Sequence, residues 1–258
     1  KFGFTHRMSL GDQMSPENVT RVLGEHILST DYAKHIAKYK IEPQTTFPWS
    51  HYYWDEHAEI KGQGTTHVSV IDEERNGVSV TSTVNHSFGS KLYNAETGVL
   101  LNNQMNDFTV DNRKNEFGLL PSRANIIAPG KRPQSSMSPT ILLDKNGNMK
   151  MAIGASGGPT ILSAIVQVII SILDFRLDTY NAINMPRVHS QPPTDVVEME
   201  EGIVRVILDT LIMKGHEFEI KKVLADGHSI GNVQVLQVGS NGQLLAASDN
   251  RKFGKPAG

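Results

Sequence analysis

The stretch that decides the fold is Gly64-Thr65-Thr66-His67-Val68-Ser69-Val70, in which a glycine and a threonine open an alternating pattern. Val68 and Val70 fall on one face of a predicted strand. If the Gly64–Thr65 bond is cut, Thr65 carries a nucleophilic hydroxyl and a free α-amine that can act as its base. The alternative interpretation is a threonine that opens an ordinary strand. The heptad therefore predicts a strand whose first residue can become a catalytic N-terminus.

Four further motifs follow, all rich in hydroxyl, amide or glycine residues. They are Thr81-Ser82-Thr83-Val84-Asn85, Leu101-Asn102-Asn103-Gln104-Met105-Asn106-Asp107-Phe108, Pro129-Gly130-Lys131-Arg132-Pro133-Gln134-Ser135-Ser136-Met137-Ser138-Pro139-Thr140 and Gly154-Ala155-Ser156-Gly157-Gly158. In this order and at these separations they strongly resemble the catalytic subunit of the γ-glutamyltransferases, also called γ-glutamyl transpeptidases or glutathione hydrolases. The resemblance extends from about Gly11 to the C-terminus, and it is most specific between Thr65 and Gly158.

The secondary-structure pattern mixes hairpins with helices. Three Asn-Gly dipeptides flanked by alternating apolar residues predict hairpins over residues 68–84, 141–153 and 233–246. Helical patterns cover residues 15–39, 159–173 and 202–214. The helix at 159–173 is apolar around most of its circumference and must be covered on several sides. These patterns predict an α+β chain, and the resemblance implies the four-layer αββα sandwich of N-terminal nucleophile hydrolases.

The resemblance divides the chain at the Gly64–Thr65 bond. Residues 1–64 are similar to the C-terminal end of a large-subunit segment with an irregular connector, and residues 65–258 to the whole small catalytic subunit. Relatives have a longer segment before the nucleophile, with an arginine that clamps the donor's α-carboxylate. Arg7 and Arg21 do not lie in that arginine's context. We therefore expect a fragment of a longer precursor, or a truncated relative with impaired donor binding and uncovered apolar surface.

The resemblance implies catalytic roles for four residues. Thr65 is the nucleophile, and Thr83 provides a hydroxyl that orients it. Gly157 and Gly158 present backbone N–H groups to the oxyanion, at the positive end of the following helix. The alternative for Thr83 is a strand residue in a Thr/Ser/Val run. The alternative for Gly157 and Gly158 is a glycine turn that caps a packed helix.

The resemblance also implies two subsites for the amino acid head of a γ-glutamyl donor. Asp107, assisted by the amide oxygens of Gln104 and Asn85, pairs with the ammonium. Ser135 and Ser136 offer hydroxyls and nearby amides to the carboxylate. The alternatives are an exposed surface charge for Asp107 and an ordinary turn for the serines. Many relatives have two successive acidic residues at positions 106 and 107, whereas this chain has only the second.

The function implied is that of a γ-glutamyltransferase and glutathione hydrolase that cleaves itself at Gly64–Thr65. Thr65 forms a γ-glutamyl ester, which is released to water or to an acceptor amino acid or dipeptide. Glutathione and other γ-glutamyl compounds are the expected donors, and the large subunit of the same precursor is the expected partner. The resemblance implies the extracellular face, secreted or anchored through a segment outside this chain. A related acylase and a non-catalytic binding protein of the same fold are the alternatives.

Composition excludes several other classes. The formal net charge is −2 without long charge runs, so nucleic acid is not an expected partner. The chain has no cysteine, which excludes disulfides, thiolate metal sites and a cysteine nucleophile. The histidines lack paired metal-binding spacing, and no phosphate-binding loop occurs, so we expect neither a metal nor another cofactor. Asn18 and Asn85 match the glycosylation pattern, but a glycan on Asn85 would block the predicted pocket.

Overall fold

The computed structural model describes residues 1–12, 19–52, 64–110, 122–221 and 229–257. The helices are α1 (Phe2–Met8), α2, a π-helix (Thr20–Ile27), α3 (Thr30–Tyr39), α4 (Trp49–Tyr52), α5 (Thr160–Leu173), α6 (Thr179–Asn184) and α7 (Arg205–Met213). The strands are β1 (Thr65–Ile71), β2 (Gly77–Thr83), β3 (Tyr93–Asn94), β4 (Val99–Leu100), β5 (Thr140–Leu143), β6 (Met149–Ser156), β7 (Val188–His189), β8 (Val196–Glu200), β9 (Glu217–Lys221), β10 (Asn232–Val238) and β11 (Leu244–Ser248). The chain is a mixed helix-and-sheet protein, in agreement with the predicted class.

A four-stranded antiparallel sheet forms the centre of the fold, with the strand order β11-β10-β6-β5. Two of the predicted hairpins, β5–β6 and β10–β11, build it, and the β10–β6 ladder joins them. One face of this sheet packs against α5 and α6. The buried apolar residues of this core are Met151, Ile153, Ala155, Ile161, Ala164, Ile165, Val168, Ile172, Ala182, Ile183, Val233, Val235 and Ala247. Helices α5 and α6 thus cover one face of the central sheet, and the β1–β2 hairpin packs on the other.

Helix α5 matches the predicted apolar helix. Its buried residues Ile161, Ile165, Val168 and Ile172 recur at helical spacing and face the sheet. On its other side, Val166 and Ile170 are 53% and 39% exposed. Within the described residues the apolar circumference of α5 is therefore covered on one side and open on another. No described helix has both the length and the apolarity needed to cross a bilayer.

The β1–β2 hairpin stacks on the second face of the central sheet. Its register pairs Thr65 with Thr83 at one end and Ile71 with Gly77 at the other. Ser79 Oγ donates to the backbone oxygen of Ile153 on β6 at 3.1 Å, which fixes the stacking. The outward face carries four valines, each 49–54% exposed: Val68, Val70, Val78 and Val80. The face toward the central sheet is thus mainly polar, and the four valines lie on the outward face.

His67 fills the space between the hairpin and the central sheet. Its Nδ1 lies 2.8 Å from Thr81 Oγ1, and its Nε2 lies 2.9 Å from Ser69 Oγ. The ring rests on the bare backbone of Gly154, where an added Cβ would lie 2.2 Å from a ring carbon. Burial lowers the pKa of His67 to about 4. A neutral imidazole with both nitrogens bonded therefore joins the two layers.

Acid is expected to destabilise the fold through His67. The unfolded state takes up the proton near pH 6.5 and the folded state only near pH 4, so this contribution is complete above about pH 6.5 and is lost as pH falls to about 4. The loss between pH 7 and pH 4.5 is about 2 kcal/mol. Urea unfolding at pH 7 and pH 4.5 measures it, and His67→Gln should show a much weaker pH dependence. His35→Gln, at an exposed position, is the control. Equal pH dependence in all three proteins would contradict this role.

The prediction of one continuous helix over residues 15–39 was wrong. The structure has two helices there, because Ser29 adopts an extended conformation and its Oγ accepts from the Tyr32 N–H at 3.1 Å. This side-chain cap begins α3. The predicted helix start at Ser15 lies outside the described residues. In contrast, α7 begins and ends inside the predicted 202–214 range, and Gly215 with φ of 88° follows it.

A buried network of four charged residues ties the C-terminal segment to the core. Arg187 Nη2 lies 2.8 Å from Asp249 Oδ2, and Arg251 bonds Asp249 at 3.0 Å and Glu200 at 2.5 Å. Glu200 and Asp249 are fully buried. Two positive and two negative side chains therefore balance inside the protein, and they fix the residues that follow β11.

Candidate active site

Thr65 and Thr83 meet where the β1–β2 hairpin opens. Their hydroxyl oxygens are 2.9 Å apart. Thr83 Oγ1 also lies 3.1 Å from the Gly64 carbonyl oxygen, and it accepts from the Asn85 N–H at 2.8 Å. A hydroxyl has one hydrogen and two acceptor lone pairs. When Thr83 donates to Gly64, its lone pairs accept from Asn85 and from the Thr65 hydroxyl, so every position is filled. The structure thus brings the two predicted threonines into direct contact.

Gly64 occupies a position that admits no side chain. An added Cβ would lie 2.4 Å from the His86 oxygen and 2.8 Å from the Asn85 oxygen. Its N–H donates to the Asn85 oxygen at 2.5 Å, and its own carbonyl oxygen accepts from the Val84 N–H at 3.1 Å. Gly64, the residue bonded to Thr65, therefore has a carbonyl oxygen with two donors, the Val84 N–H and the Thr83 hydroxyl.

Gly157 and Gly158 form the turn between β6 and α5. Their φ angles are 133° and 62°, which glycine adopts readily and other residues do not. The Gly157 carbonyl accepts from Thr160 Oγ1 at 2.8 Å, and this contact holds the turn in place. Among the described residues, neither glycine donates its N–H to a backbone acceptor outside regular secondary structure. Two backbone donors at the N-terminus of α5 are thus suited to an anionic oxygen.

Asp107 ends a short 3₁₀ helix, Gln104–Asp107, and is half-buried. Burial raises its pKa, whereas hydrogen bonds from Asn85 and Gln104 and the electrostatic influence of His86 and Arg7 oppose that rise. Gln104 Nε2 donates to Asp107 Oδ2. Because the amide nitrogen of Gln104 is used in this bond, its carbonyl oxygen is directed away from the carboxylate. Asp107 is therefore partly buried, whereas the surface-charge alternative expects an exposed side chain.

The two serines lie in different surroundings. Ser136 is buried, and its Oγ accepts from Arg7 Nη2 at 3.0 Å. Ser135 is exposed, and its Oγ accepts from the Met137 N–H at 3.2 Å within the local turn. The sequence context separated Arg7 from the arginine that clamps the donor's carboxylate, and the structure places Arg7 against Ser136. It lies 129 positions from Ser136, and no local pattern could have indicated the contact.

Asn125 connects the Asp107 loop with the serine loop. Its Nδ2 donates to the Asp107 backbone oxygen at 2.6 Å, and its Oδ1 accepts from the Gln134 N–H at 2.9 Å. Asn125 is buried, and Gln134 also donates to the backbone oxygen of Arg7 at 2.5 Å. One asparagine, missed from the sequence, therefore fixes the spacing between the two predicted subsites.

Lys252 connects strand β1 with the end of β6, next to the glycine turn. Its Nζ donates to the Thr65 backbone oxygen at 2.6 Å and lies 3.3 Å from Ser156 Oγ. Ser156 ends β6 and directly precedes Gly157. Partial burial lowers the pKa of Lys252. The resemblance to a family extends to the C-terminus, but it did not indicate this contact.

Most of the predicted residues form one connected arrangement, and within the described part of the chain Gly157 and Gly158 are linked to it only through the neighbouring Ser156 and Lys252. Thr65 and Thr83 are joined through Asn85 to the Asp107 loop, and Asn125 joins that loop to the segment holding Ser136. Ser135 alone has its hydroxyl in a local turn contact. Asn85 is buried, which excludes a glycan there in the folded protein, and Asn18 lies outside the described residues. No cluster of three or more potential metal-ligating side chains occurs in the described ranges.

Comparison with known proteins places this arrangement in context. A family model described as Gamma-glutamyltranspeptidase matches residues 1–258. Scoloptoxin SSD14 of Scolopendra dehaani is 37% identical over 258 residues, which is 100% of this chain and 43% of that protein. The Glutathione hydrolase proenzyme of Escherichia coli (strain K12) is 36% identical over 253 residues, covering 97% of this chain and 42% of that protein. The chain thus spans less than half the length of these two relatives.

A solved structure shares the fold of much of this chain. It is that of an acivicin-inhibited gamma-glutamyltranspeptidase, whose C-terminus is described as having critical roles in autoprocessing and catalysis. The TM-score is 0.65 at 36% sequence identity, and the match covers 73% of this chain and 99% of that chain. The similarity therefore includes almost the whole of the solved chain.

Proposed function

Because the chain belongs to the gamma-glutamyltranspeptidase family, we propose that it carries the catalytic centre of a γ-glutamyltransferase and glutathione hydrolase. The observation that carries this proposal is the 2.9 Å contact between the Thr65 and Thr83 hydroxyls at the start of β1. In this proposal, residues 65–258 are the small catalytic subunit and residues 1–64 the end of the large-subunit segment. Glutathione and other γ-glutamyl compounds are the donors.

The first step is cleavage of the chain's own Gly64–Thr65 bond. The Thr65 hydroxyl attacks the Gly64 carbonyl carbon, the C–N bond breaks, and the proton passes to the departing α-amine. The resulting ester is hydrolysed by water, which leaves a Gly64 carboxylate and a free Thr65 N-terminus. The Val84 N–H and the Thr83 hydroxyl, both 3.1 Å from the Gly64 oxygen, are placed to stabilise the negative charge that develops there.

Turnover uses the N-terminus so produced. The α-amine takes the Thr65 hydroxyl proton, the hydroxyl attacks the γ-amide, and the amine leaving group takes that proton as it departs. Water or an acceptor amino acid or dipeptide then releases the γ-glutamyl group. The N–H groups of Gly157 and Gly158 receive the oxyanion in this proposal, and one such donor typically contributes about 3 kcal/mol to transition-state stabilisation.

The donor's amino acid head binds between the Asp107 and serine loops. Asp107 pairs with the ammonium, with the oxygens of Gln104 and Asn85 as additional acceptors. Ser135 and Ser136 donate to the carboxylate. Because Arg7 can only donate, the Ser136 oxygen accepts from it and the Ser136 hydrogen is directed elsewhere. Arg7 thus adds positive charge behind the carboxylate subsite.

Asp107→Ala is expected to raise the KM for a γ-glutamyl anilide by about 30-fold or more, because a charge-assisted bond to the ammonium contributes about 2 kcal/mol or more. Acylation of Thr65 by a small electrophile that lacks the amino acid head should change little. Asn106→Ala, at the exposed neighbouring position, is the matched control. If donors without the α-amine react with the unmutated protein as well as donors that have it, Asp107 does not bind the ammonium.

The four-layer αββα sandwich and a large-subunit partner are part of the proposal. Helices α5 and α6, the central sheet and the β1–β2 hairpin account for three successive layers. The valine face of the hairpin is where a fourth, helical layer would pack, since half-exposed valines on one face of a strand are typical of a surface that another element covers. The large-subunit segment of the precursor is the proposed source of that layer.

An electrophilic glutamine analogue distinguishes the proposal from its alternatives. The full precursor should yield an N-terminus at Thr65 by mass spectrometry, and the analogue should add to that residue in a one-to-one ratio. A non-catalytic relative would bind the analogue without the covalent mass increase. A related acylase would react equally well with analogues that lack the α-amine or the α-carboxylate, which the Asp107 and Ser136 subsites argue against.

A further inference from the structure

Lys252 lies closer to the nucleophilic residue than any catalytic assignment above requires. Its ammonium contacts the Thr65 carbonyl oxygen at 2.6 Å and the Ser156 hydroxyl at 3.3 Å. The preceding residue, Arg251, is held by Glu200 and Asp249 in the buried charge network. The position of Lys252 is therefore fixed by the core, although part of its side chain is exposed.

Covalent geometry places this ammonium near the future N-terminus. The carbonyl oxygen and the backbone nitrogen of one residue are less than about 4 Å apart, so Lys252 Nζ lies within about 6–7 Å of the Thr65 nitrogen. Before cleavage that nitrogen belongs to a neutral peptide bond. After cleavage it becomes an amine that can be protonated, and a second positive charge at this distance opposes its protonation.

We propose that Lys252 is a positioning residue that keeps the α-amine of Thr65 in its unprotonated, basic form at neutral pH. An ammonium at Thr65 has no lone pair with which to accept the hydroxyl proton, so only the neutral amine is an active base. The inference rests on the proposed function, because it assumes that the Gly64–Thr65 bond is cut and that the amine is the base. It adds a residue that sets the pH range of the reaction.

Other groups around Thr65 do not supply this charge. On β1, His67 remains neutral above about pH 4. Thr81 and Thr83 are neutral neighbours on β2, and β6 presents Ser156 and Gly154. Strand β10 carries no charged residue. In the C-terminal segment, Asp249 and Arg251 are engaged with Arg187 and Glu200.

The loop after β2 contributes charges of both signs. Asp107, beyond Asn85, favours a protonated amine, whereas His86 and Arg7 act on Asp107 and weaken that influence. Lys252 is the cation that contacts Thr65 itself. Its removal is therefore expected to move the equilibrium toward the ammonium.

The test measures the pH dependence of kcat/KM for a γ-glutamyl anilide and of inactivation by an electrophilic glutamine analogue. The full precursor is used after mass spectrometry has verified a Thr65 N-terminus. We expect the acidic limb of the unmutated protein below the value of about 8 typical of a free α-amine. Lys252→Met should raise that limb by about 0.5–1 pH unit, and the difference should shrink at high salt.

Two further variants separate charge from structure. Lys252→Arg should retain the acidic limb of the unmutated protein, and Lys255→Met, at an exposed position three residues further on, should have no effect. A Lys252→Met protein with lower activity but the same acidic limb would overturn the inference and indicate a purely structural contact.

If the Lys252→Met protein does not cleave itself, the pH profile of the unmutated protein still tests the inference. An acidic limb at or above about pH 8 would overturn the inference, since the amine would then be no easier to deprotonate than a free one. Failure of the unmutated precursor to form a Thr65 N-terminus would overturn the proposed function, and this inference with it. If the processed protein is active but substitution of Lys252 does not move the acidic limb of its pH profile, only the inference is overturned.

Discussion

Thr65→Ala is expected to abolish both cleavage at Gly64–Thr65 and turnover of γ-glutamyl donors. The variant lacks the hydroxyl that attacks the Gly64 carbonyl, so the precursor retains its full mass and no free α-amine forms. Loss of nucleophile and base together should lower kcat by about 10⁴-fold or more. Intact-mass analysis measures the first effect, and release of the chromophore from a γ-glutamyl anilide measures the second.

The adjacent threonine supplies a matched control for this variant. Thr66 has the same side chain, but it points to the exposed face of β1. Thr66→Ala should therefore cleave and turn over like the unmutated protein. Thr65→Ser keeps a hydroxyl and should retain part of both activities. Full activity in Thr65→Ala, or in an unmutated protein whose Gly64–Thr65 bond remains intact, would show that the reaction uses another nucleophile or base.

Asp249→Asn is expected to cause the largest loss of stability. The substitution keeps the size of the side chain but removes one of the two negative charges that balance Arg187 and Arg251. Because Asp249 is fully buried, water cannot replace the lost interactions. Leaving a buried charge without its partner costs about 3–5 kcal/mol. Urea unfolding, with the midpoint and the slope both determined, measures this change.

An exposed ion pair of the same type is the control for Asp249. Asp209 Oδ1 lies 2.8 Å from Arg205 Nε on the surface of α7, one helical turn away. Asp209→Asn should cost less than about 0.5 kcal/mol, because solvent screens exposed pairs. Similar losses in the two variants would indicate that the Arg187–Asp249–Arg251–Glu200 network does not stabilise the fold.

Local features of the fold could be predicted from the sequence, and the reasons are physical. Asn-Gly dipeptides and alternating residues act within a few positions, so all three hairpins and helix α5 lie where they were predicted. The interruption at Ser29 was missed because one side-chain cap is a weak signal inside a long helical pattern. The parallel β8–β9 pair was missed because pairing across an intervening helix leaves no local pattern.

The residues of the candidate site likewise divide into those predicted from local motifs and those that only the folded structure brings into contact. Thr65, Thr83 and Asp107 were predicted from motifs that resemble a family, and the structure adds the 2.9 Å contact between the two threonines. Arg7 and Lys252 were not identified, because their contacts join residues 129 and 187 positions apart. Neither a charge pattern nor a hydrophobic period reports on such a contact. Long-range polar contacts are decided only when the chain has folded.

The outward valine face of the β1–β2 hairpin links the position of Thr65 to the packing of this hairpin against other surfaces. Since side chains alternate along a strand, a slip of β1 by one residue would turn Thr65 outward and the valines inward. A surface that packed on Val68 and Val70 would therefore favour the register in which Thr65 faces Thr83. A chain paired in the slipped register would lack the Thr65–Thr83 contact and would present polar side chains to that surface, so the error that removes the contact would also weaken assembly.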